Sequence, residues 1–403
     1  MDGLIEALLL QAGYNASLVA IGAGLLGVAA GTGGTFIFLR KRALVSDAVA
    51  HATLPGIGLA FILMVMLGGD GRNLVGLLAG SAVSAVVGFL LVEWIARRTR
   101  LAEDAAIGAV LSVFFGLGIV FLTIIQTMRS GQQAGLEGFL LGSTAGMLFN
   151  DAVTIAAGGA LAITAIILLR RPMTLVAFDP EYAAASGINV RVIDLALMGL
   201  VTGVTVVGLK IVGLILIVAM LIIPAVTARF WTERTDRVVV IAGIVGGVSG
   251  YVGSAMSAAF PDAPTGPIIV LVCFGLFTLS LFLAPGRGVL AAIIRRRRFQ
   301  RLVHHRQGLL AVARGEPIFD GLTLAVLRRA GLIREDGVAT EEGAAQAAKA
   351  LRDEKRWEIA RQIHKDEAVS ARYDGLTPIE KVLTADEIAL IDRRIGAPRT
   401  VTA

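Results

Sequence analysis

Residues 40–61 read RKRALVSDAVAHATLPGIGLAF. Three basic residues open the stretch, and an apolar run follows that holds one carboxylate, Asp47, and one imidazole, His51. The residues just before it, Leu18–Leu39, carry no charge at all. Two apolar runs separated by a short basic cluster are the pattern of consecutive bilayer-crossing helices, since a hydrocarbon core needs ~20 apolar residues per helix.

The same pattern recurs outward from this stretch. Further runs fall at Ala48–Leu67, Leu74–Ile95, Ala105–Ile125, Ala152–Leu169, Val192–Leu209, Ile211–Ala228, Val238–Phe260 and Gly266–Leu283, so about nine spans are expected, within a range of roughly eight to ten. The sixth and seventh are nearly fused around Lys210. Composition agrees: of 403 residues, 56% are hydrophobic and only 17% charged, with a mean hydropathy of +0.77, which excludes an ordinary soluble globular protein. The expected fold class is an all-α polytopic membrane protein with a small, mainly helical domain after it. The expected domains are 1–298, in the membrane, and 299–403, a charged tail.

The formal net charge of +6 does not point to nucleic acid, because the basic residues of the membrane half sit at the ends of apolar runs. One set of ends carries Arg40 to Arg42, Arg97, Arg98, Arg100, Arg170, Arg171, Arg229, Arg234, Arg237 and the run Arg295 to Arg298; the other carries Arg72, Arg129 and Lys210. The positive-inside rule makes the first set cytoplasmic, with the tail on that side and the N-terminus outside. A multi-pass protein of a bacterial inner membrane is expected. The run Arg295 to Arg298 reads as a contact with lipid headgroups. MDGLIEALLLQAGYN lacks a basic n-region and is not expected to be a signal peptide. Cys273, alone in the sequence, has no disulfide partner.

Small residues four apart, Gly27 and Gly31, Gly76 and Gly80, Gly199 and Gly203, Gly246 and Gly250, allow close helix approach. IGAGLLG, at 21–27, has the letters of a dinucleotide fingerprint but lies inside an apolar span without a preceding strand. GVTVVGLK, at 203–210, places Leu209 where a phosphate loop needs its lysine. Any ATPase must therefore be a separate chain. Pro55 and Pro224 fall inside spans and should kink them, freeing the carbonyls of His51 and Met220.

Asp47 and His51 are four apart, which places both on one helical face. Ionisable groups in a span are costly unless partnered and usually mark a pathway, a partner or a polar cavity. A carboxylate with an imidazole suits Zn, Mn or Fe. Alternatively, Ser46 or Asp47 caps the helix, and His51 satisfies a freed carbonyl or a neighbouring helix. A second signal is FDPEYAAASGI, at 178–188: Asp179 as N-cap, Pro180 at the first helical position, Glu181 toward the positive helix end and Gly187 as terminator describe a helix of about two turns.

With VGLILIVAMLIIPAVTARFW, at 212–231, these segments resemble the zinc, manganese and iron importer family of ABC permeases, in order and spacing, as far as about Leu283. The resemblance implies a permease subunit for a divalent transition metal, the ion being a passing substrate with no permanently bound cofactor. It also implies no enzymatic site of its own, a separate ABC ATPase, an extracytoplasmic metal-binding protein and a second permease chain. It places Asp47 and His51 in the translocation pathway, and Phe178, Asp179, Pro180, Glu181 and Tyr182 in the element that docks into the ATPase. The competing reading is a secondary metal transporter driven by an ion gradient, which predicts inverted repeats that the sequence does not display; a membrane-anchored sensor would need one or two helices, not about nine.

In the tail, LRRAGLIREDGVATEEG, at 327–343, and KALRDEKRWEIARQI, at 349–363, resemble the wing and following helix of metal-dependent winged-helix repressors. Glu354 and Glu358 stand where those repressors carry a His and a Glu as ligands, and their downstream ligand cluster is not recognisable around His364 to Arg372. The tail is read as a contact or regulatory domain.

Overall fold

The computed structural model describes residues 2–69, 71, 73–128, 149–260, 263–363 and 373–395. Arg72, Arg129 and the stretch His364 to Arg372 lie outside them. The described residues are almost wholly helical, with one isolated antiparallel bridge between Ile333 and Ala339. Two compact units emerge, residues 1–291 and 292–403.

The first unit holds α1 (Asp2–Leu8), α2 (Tyr14–Leu39), α3 (Ala43–Met66), α4 (Leu74–Arg98), α5 (Glu103–Thr127), α6 (Phe149–Phe178), α7 (Pro180–Ala185), α8 (Val190–Val212), α9 (Leu214–Trp231), α10 (Thr235–Ala259) and α11 (Thr265–Leu283). Eight of these are long and apolar enough to cross a membrane: α2 to α6, α8, α10 and α11. The ninth apolar helix of the described bundle, α9, has 18 residues, about 27 Å at the α-helical rise. Helices are the expected solution in lipid, because each closes its own backbone hydrogen bonds. This is an all-α polytopic membrane protein.

Small residues decide how the helices meet. A Cβ added at Gly27 would lie 2.1 Å from the Gly246 carbonyl, one at Gly31 2.2 Å from that of Ala242, and one at Gly250 2.1 Å from that of Ala23. The numbers rise on α2 as they fall on α10, so the two cross antiparallel with backbones in contact. The fingerprint-like IGAGLLG lies in this packed helix, α2. On the other side of the bundle α3 packs antiparallel to α4, with Gly56 against Gly80 and Gly88 against Ala52, and parallel to α5, with Leu54 against Gly118 and Gly58 against Phe121. Gly199 and Gly203 depart from the expectation: nothing lies within 4 Å of a Cβ at either. Spacing alone does not say which face of a helix has a neighbour.

Three boundaries also differ from the sequence reading. The break between α8 and α9 falls at Gly213, whose φ of 81° and ψ of 168° suit glycine, and not at Lys210. Helix α6 runs through Pro172 to Phe178, well past Leu169, because proline does not stop a helix whose neighbours hold it. Finally, α3 starts at Ala43, directly after the basic cluster, with Arg42 at the N-cap.

In the second unit, residues from 292 onward of α12 (Val289–Arg314), α13 (Gly321–Arg329), α14 (Glu341–Ile363) and α15 (Ala385–Ile395) enclose two small cores. Leu309, Leu327, Leu332, Ile333, Ala347 and Ala350 form one; Trp357, Ala360, Ile379, Leu383 and Ile391 form the other. Between α13 and α14 the chain makes a tight hairpin in which Arg334 N–H donates to the Val338 carbonyl at 2.8 Å and Thr340 N–H to that of Leu332 at 3.0 Å. The Trp357 indole N–H donates to the Thr377 carbonyl at 3.0 Å. Arg295 to Arg298 lie on an exposed stretch of α12.

Candidate functional site

Helix α3 enters the bundle from the basic cluster and carries the pair singled out in the sequence. Asp47 Oδ1 and His51 Nε2 are 3.5 Å apart, their side chains 39% and 18% exposed. The capping alternative holds for neither Ser46 nor Asp47. The helix has already begun four residues earlier, and Ser46 Oγ donates back to the Ala43 carbonyl at 2.5 Å, so neither residue is its N-cap.

His51 is held by an aromatic contact, its ring meeting Phe115 of α5 edge-on at 5.2 Å between centroids. Its Nδ1 is buried and has no hydrogen-bond partner, so the ring does not satisfy a freed carbonyl or a neighbouring helix through that nitrogen. A buried polar atom left unpaired is costly. Such an atom calls for a partner or a role. The sequence-predicted kink residue Pro55 lies one turn further along α3, whereas Pro224 is on α9.

No cluster of three or more His, Cys, Asp or Glu side chains that could hold a metal occurs among the described residues. Among the described residues Asp47 and His51 therefore bring together two candidate donors, fewer than the four to six that divalent transition metals take. In the second unit the two glutamates at the repressor-ligand positions are otherwise placed: Glu354 accepts from Arg306 at 3.1 Å and from the Tyr373 hydroxyl at 2.5 Å, and Glu358 is exposed.

The second signal folds as its residues dictate. Asp179 Oδ1 accepts from Tyr182 N–H at 2.9 Å, Pro180 opens the six-residue α7, and Gly187 follows with φ of 83°. Ala183 is fully buried in the main core with Met173, Val176 and Ile193, which seats the short helix on the ends of α6 and α8. Its outer face is open, with Phe178 and Tyr182 each 59% exposed, beside exposed Asp179, Pro180 and Glu181.

Sequence reasoning treated Arg40 and Arg42 only as orientation markers and passed over Asp194 and Glu103. Asp194 is 5% exposed and takes a two-pronged hydrogen bond from Arg40, Nε to Oδ1 at 3.1 Å and Nη2 to Oδ2 at 2.8 Å. Arg40 Nη1 also donates to the Val176 carbonyl at 2.9 Å. Arg42 reaches Glu103 at 3.1 Å and Asp194 at 3.7 Å. The available signal was Asp194 itself, a carboxylate inside an otherwise apolar run.

A bundle of apolar, membrane-length helices with an ionisable pair on one of them and a capped elbow helix between two others is the architecture of a polytopic membrane permease. Residues 14–284 match the ABC 3 transport family, and the chain belongs to that family. It is 41% identical over 310 residues to the manganese transport system membrane protein MntC of Bacillus subtilis, covering 77% of this chain and 70% of that one. It is 39% identical over 289 residues to the zinc transport system membrane protein TroC of Treponema pallidum, covering 72% and 95%. Among solved structures it resembles PsaBC from Streptococcus pneumoniae in complex with Fab, with a TM-score of 0.61 and 29% identity over 71% of this chain and 97% of that one.

Proposed function

We propose that this chain is the permease subunit of an ABC importer that carries manganese or zinc across a bacterial inner membrane, with iron as a further substrate of the same chemistry. Family membership and the names of the relatives, manganese and zinc transport system membrane proteins, support the substrate class. The observation that carries the mechanism is the Asp47–His51 pair, with its unpartnered Nδ1.

In this reading Asp47 supplies a carboxylate oxygen and His51 a ring nitrogen to a passing ion. Two donors from one chain hold it weakly, which suits a substrate that must leave again. A second copy of the permease, set against the partly exposed face that bears Asp47, His51 and Phe115, would bring the donors to four. An ATPase subunit docks on Phe178, Asp179, Pro180, Glu181 and Tyr182, and an extracytoplasmic metal-binding protein delivers the ion. The membrane domain takes residues 1–298, and the tail, 299–403, lies in the cytoplasm as a winged-helix-like contact or regulatory element. Its compact hairpin after α13 supports that likeness, and the engagement of Glu354 argues against metal sensing there.

The test is uptake of Mn, Zn and Fe into vesicles with the ATPase and binding protein present, at equal permease abundance. His51→Gln and Asp47→Asn keep shape and hydrogen bonding but remove ligation or charge, and should each lower uptake by about tenfold or more. Wild-type rates for every metal in both variants would make the pair structural.

A further inference from the structure

We infer that Arg40, Arg42 and Asp194 are positioning residues that transmit movement of the elbow helix α7 to the Asp47–His51 pair, an inference that rests on the permease reading above.

The wiring is local at each step. A single guanidinium, that of Arg40, holds both sides of the elbow: it donates to the Val176 carbonyl, two residues before α6 ends at Phe178, and clamps Asp194 in the second turn of α8. The elbow thus cannot shift without moving Arg40 or breaking its bonds. Arg40 closes α2, and three residues later α3 begins at Ala43. Lys41 between them adopts φ of 59°, a left-handed conformation that non-glycine residues rarely take, so this link is a tight corner rather than a slack loop.

Arg42, the N-cap residue of α3, touches the same Asp194 carboxylate and also Glu103, the first residue of α5. Those two helices are the ones that hold the pair: α3 carries Asp47 one turn in, and α5 supplies Phe115 against the His51 ring. Asp194 is therefore the shared anchor of the elbow, of α3 and, through Arg42, of α5.

Burial of the Asp194 carboxylate, its side chain 7% exposed against 15% for that of Arg40, argues for a role beyond holding the fold. A buried ion pair seldom stabilises more than apolar residues of similar size would, and the three helices this one joins already share an apolar core that includes Phe36, Ile37, Val176 and Ile193. What the pair adds is direction: a planar fork fixed by two parallel hydrogen bonds transmits displacement where a greasy contact would slide.

The experiment uses the full transporter in proteoliposomes, with Mn as the probe. ATP hydrolysis, retention of the ATPase on the purified permease and Mn moved per ATP are measured together. Asp194→Asn keeps shape but removes the charge, and Arg40→Lys keeps charge but removes the fork. Both should retain the ATPase and hydrolyse ATP near the wild-type rate while Mn per ATP falls by about tenfold or more. The exchange Arg40→Glu with Asp194→Arg should recover part of that ratio. A wild-type ratio in Asp194→Asn overturns the inference, as does equal loss of folded protein in all three variants, which would make the pair purely structural. A wild-type complex that moves neither Mn nor Zn would overturn the permease reading and this one with it, and that arm separates the two failures.

Discussion

Asp179→Ala tests the elbow helix with a magnitude the structure sets. The Asp179 carboxylate makes one bond within α7, to Tyr182 N–H at 2.9 Å, and lies exposed, so its removal costs a helix cap and leaves no buried group stranded. Loss of such a cap is worth about 1 kcal/mol, with a range of about 0.5–2. In a helix of six residues, too short to persist unaided, that energy comes out of preorganisation. If the ATPase binds α7 only when it is helical, its affinity should fall by about fivefold, and by no more than about thirtyfold. Titration of labelled ATPase against the permease in nanodiscs reads this directly. Asp179→Ser, which restores a capping oxygen, should return affinity to within about twofold of wild type. Unchanged affinity in Asp179→Ala would refute docking through this helix. A loss above a hundredfold would instead require the carboxylate to touch the ATPase itself, contrary to the capping argument.

Two further outcomes test the bundle and the tail. Gly246→Ala places a methyl 2.1 Å from the Gly27 carbonyl and should destabilise the α2–α10 crossing by about 1–3 kcal/mol, whereas Gly199→Ala, in open space, should be neutral or gain up to about 1 kcal/mol; thermal unfolding in detergent compares them, and equal midpoints would discount the close crossing. In the tail, bonds from the Thr377 backbone and hydroxyl hold the Asp374 carboxyl below its usual range, and Arg356 does the same for Asp392. A carboxyl with a depressed folded value stabilises above its unfolded value, about 3.9, and loses that contribution as pH falls through the folded one. Denaturant midpoints followed by Trp357 fluorescence, in a Trp94→Phe, Trp231→Phe background, should therefore hold steady from pH 7 to 5 and drop below about pH 4, less so in Asp374→Asn with Asp392→Asn. An unchanged midpoint at pH 3 would refute the assignment.

The elements that were legible in the sequence are those whose cause is local. Apolar runs of bilayer length between charged punctuation can form little but spanning helices, so the bundle followed from hydropathy. The elbow was legible because Asp179, Pro180 and Gly187 each act within a few residues of their own position, and the Asp47–His51 pair because i and i+4 share a helical face. Even the closeness of α2 and α10 was half visible, in the glycine stripes of each.

Tertiary structure decided which of equivalent signals were used and by what partner. Gly27 and Gly199 belong to identical spacings, yet one pair meets a carbonyl and the other open space, because the partner of a helical face lies far off in the chain. Asp47 reads equally well as a cap or a ligand until the start of α3 is known, and that start depends on how Arg40 to Arg42 turn the corner. The Arg40–Asp194 clamp joins positions 154 residues apart. A sequence lists each charge with its neighbours, but an ion pair is made by the fold that brings two distant charges to one place and removes the water between them.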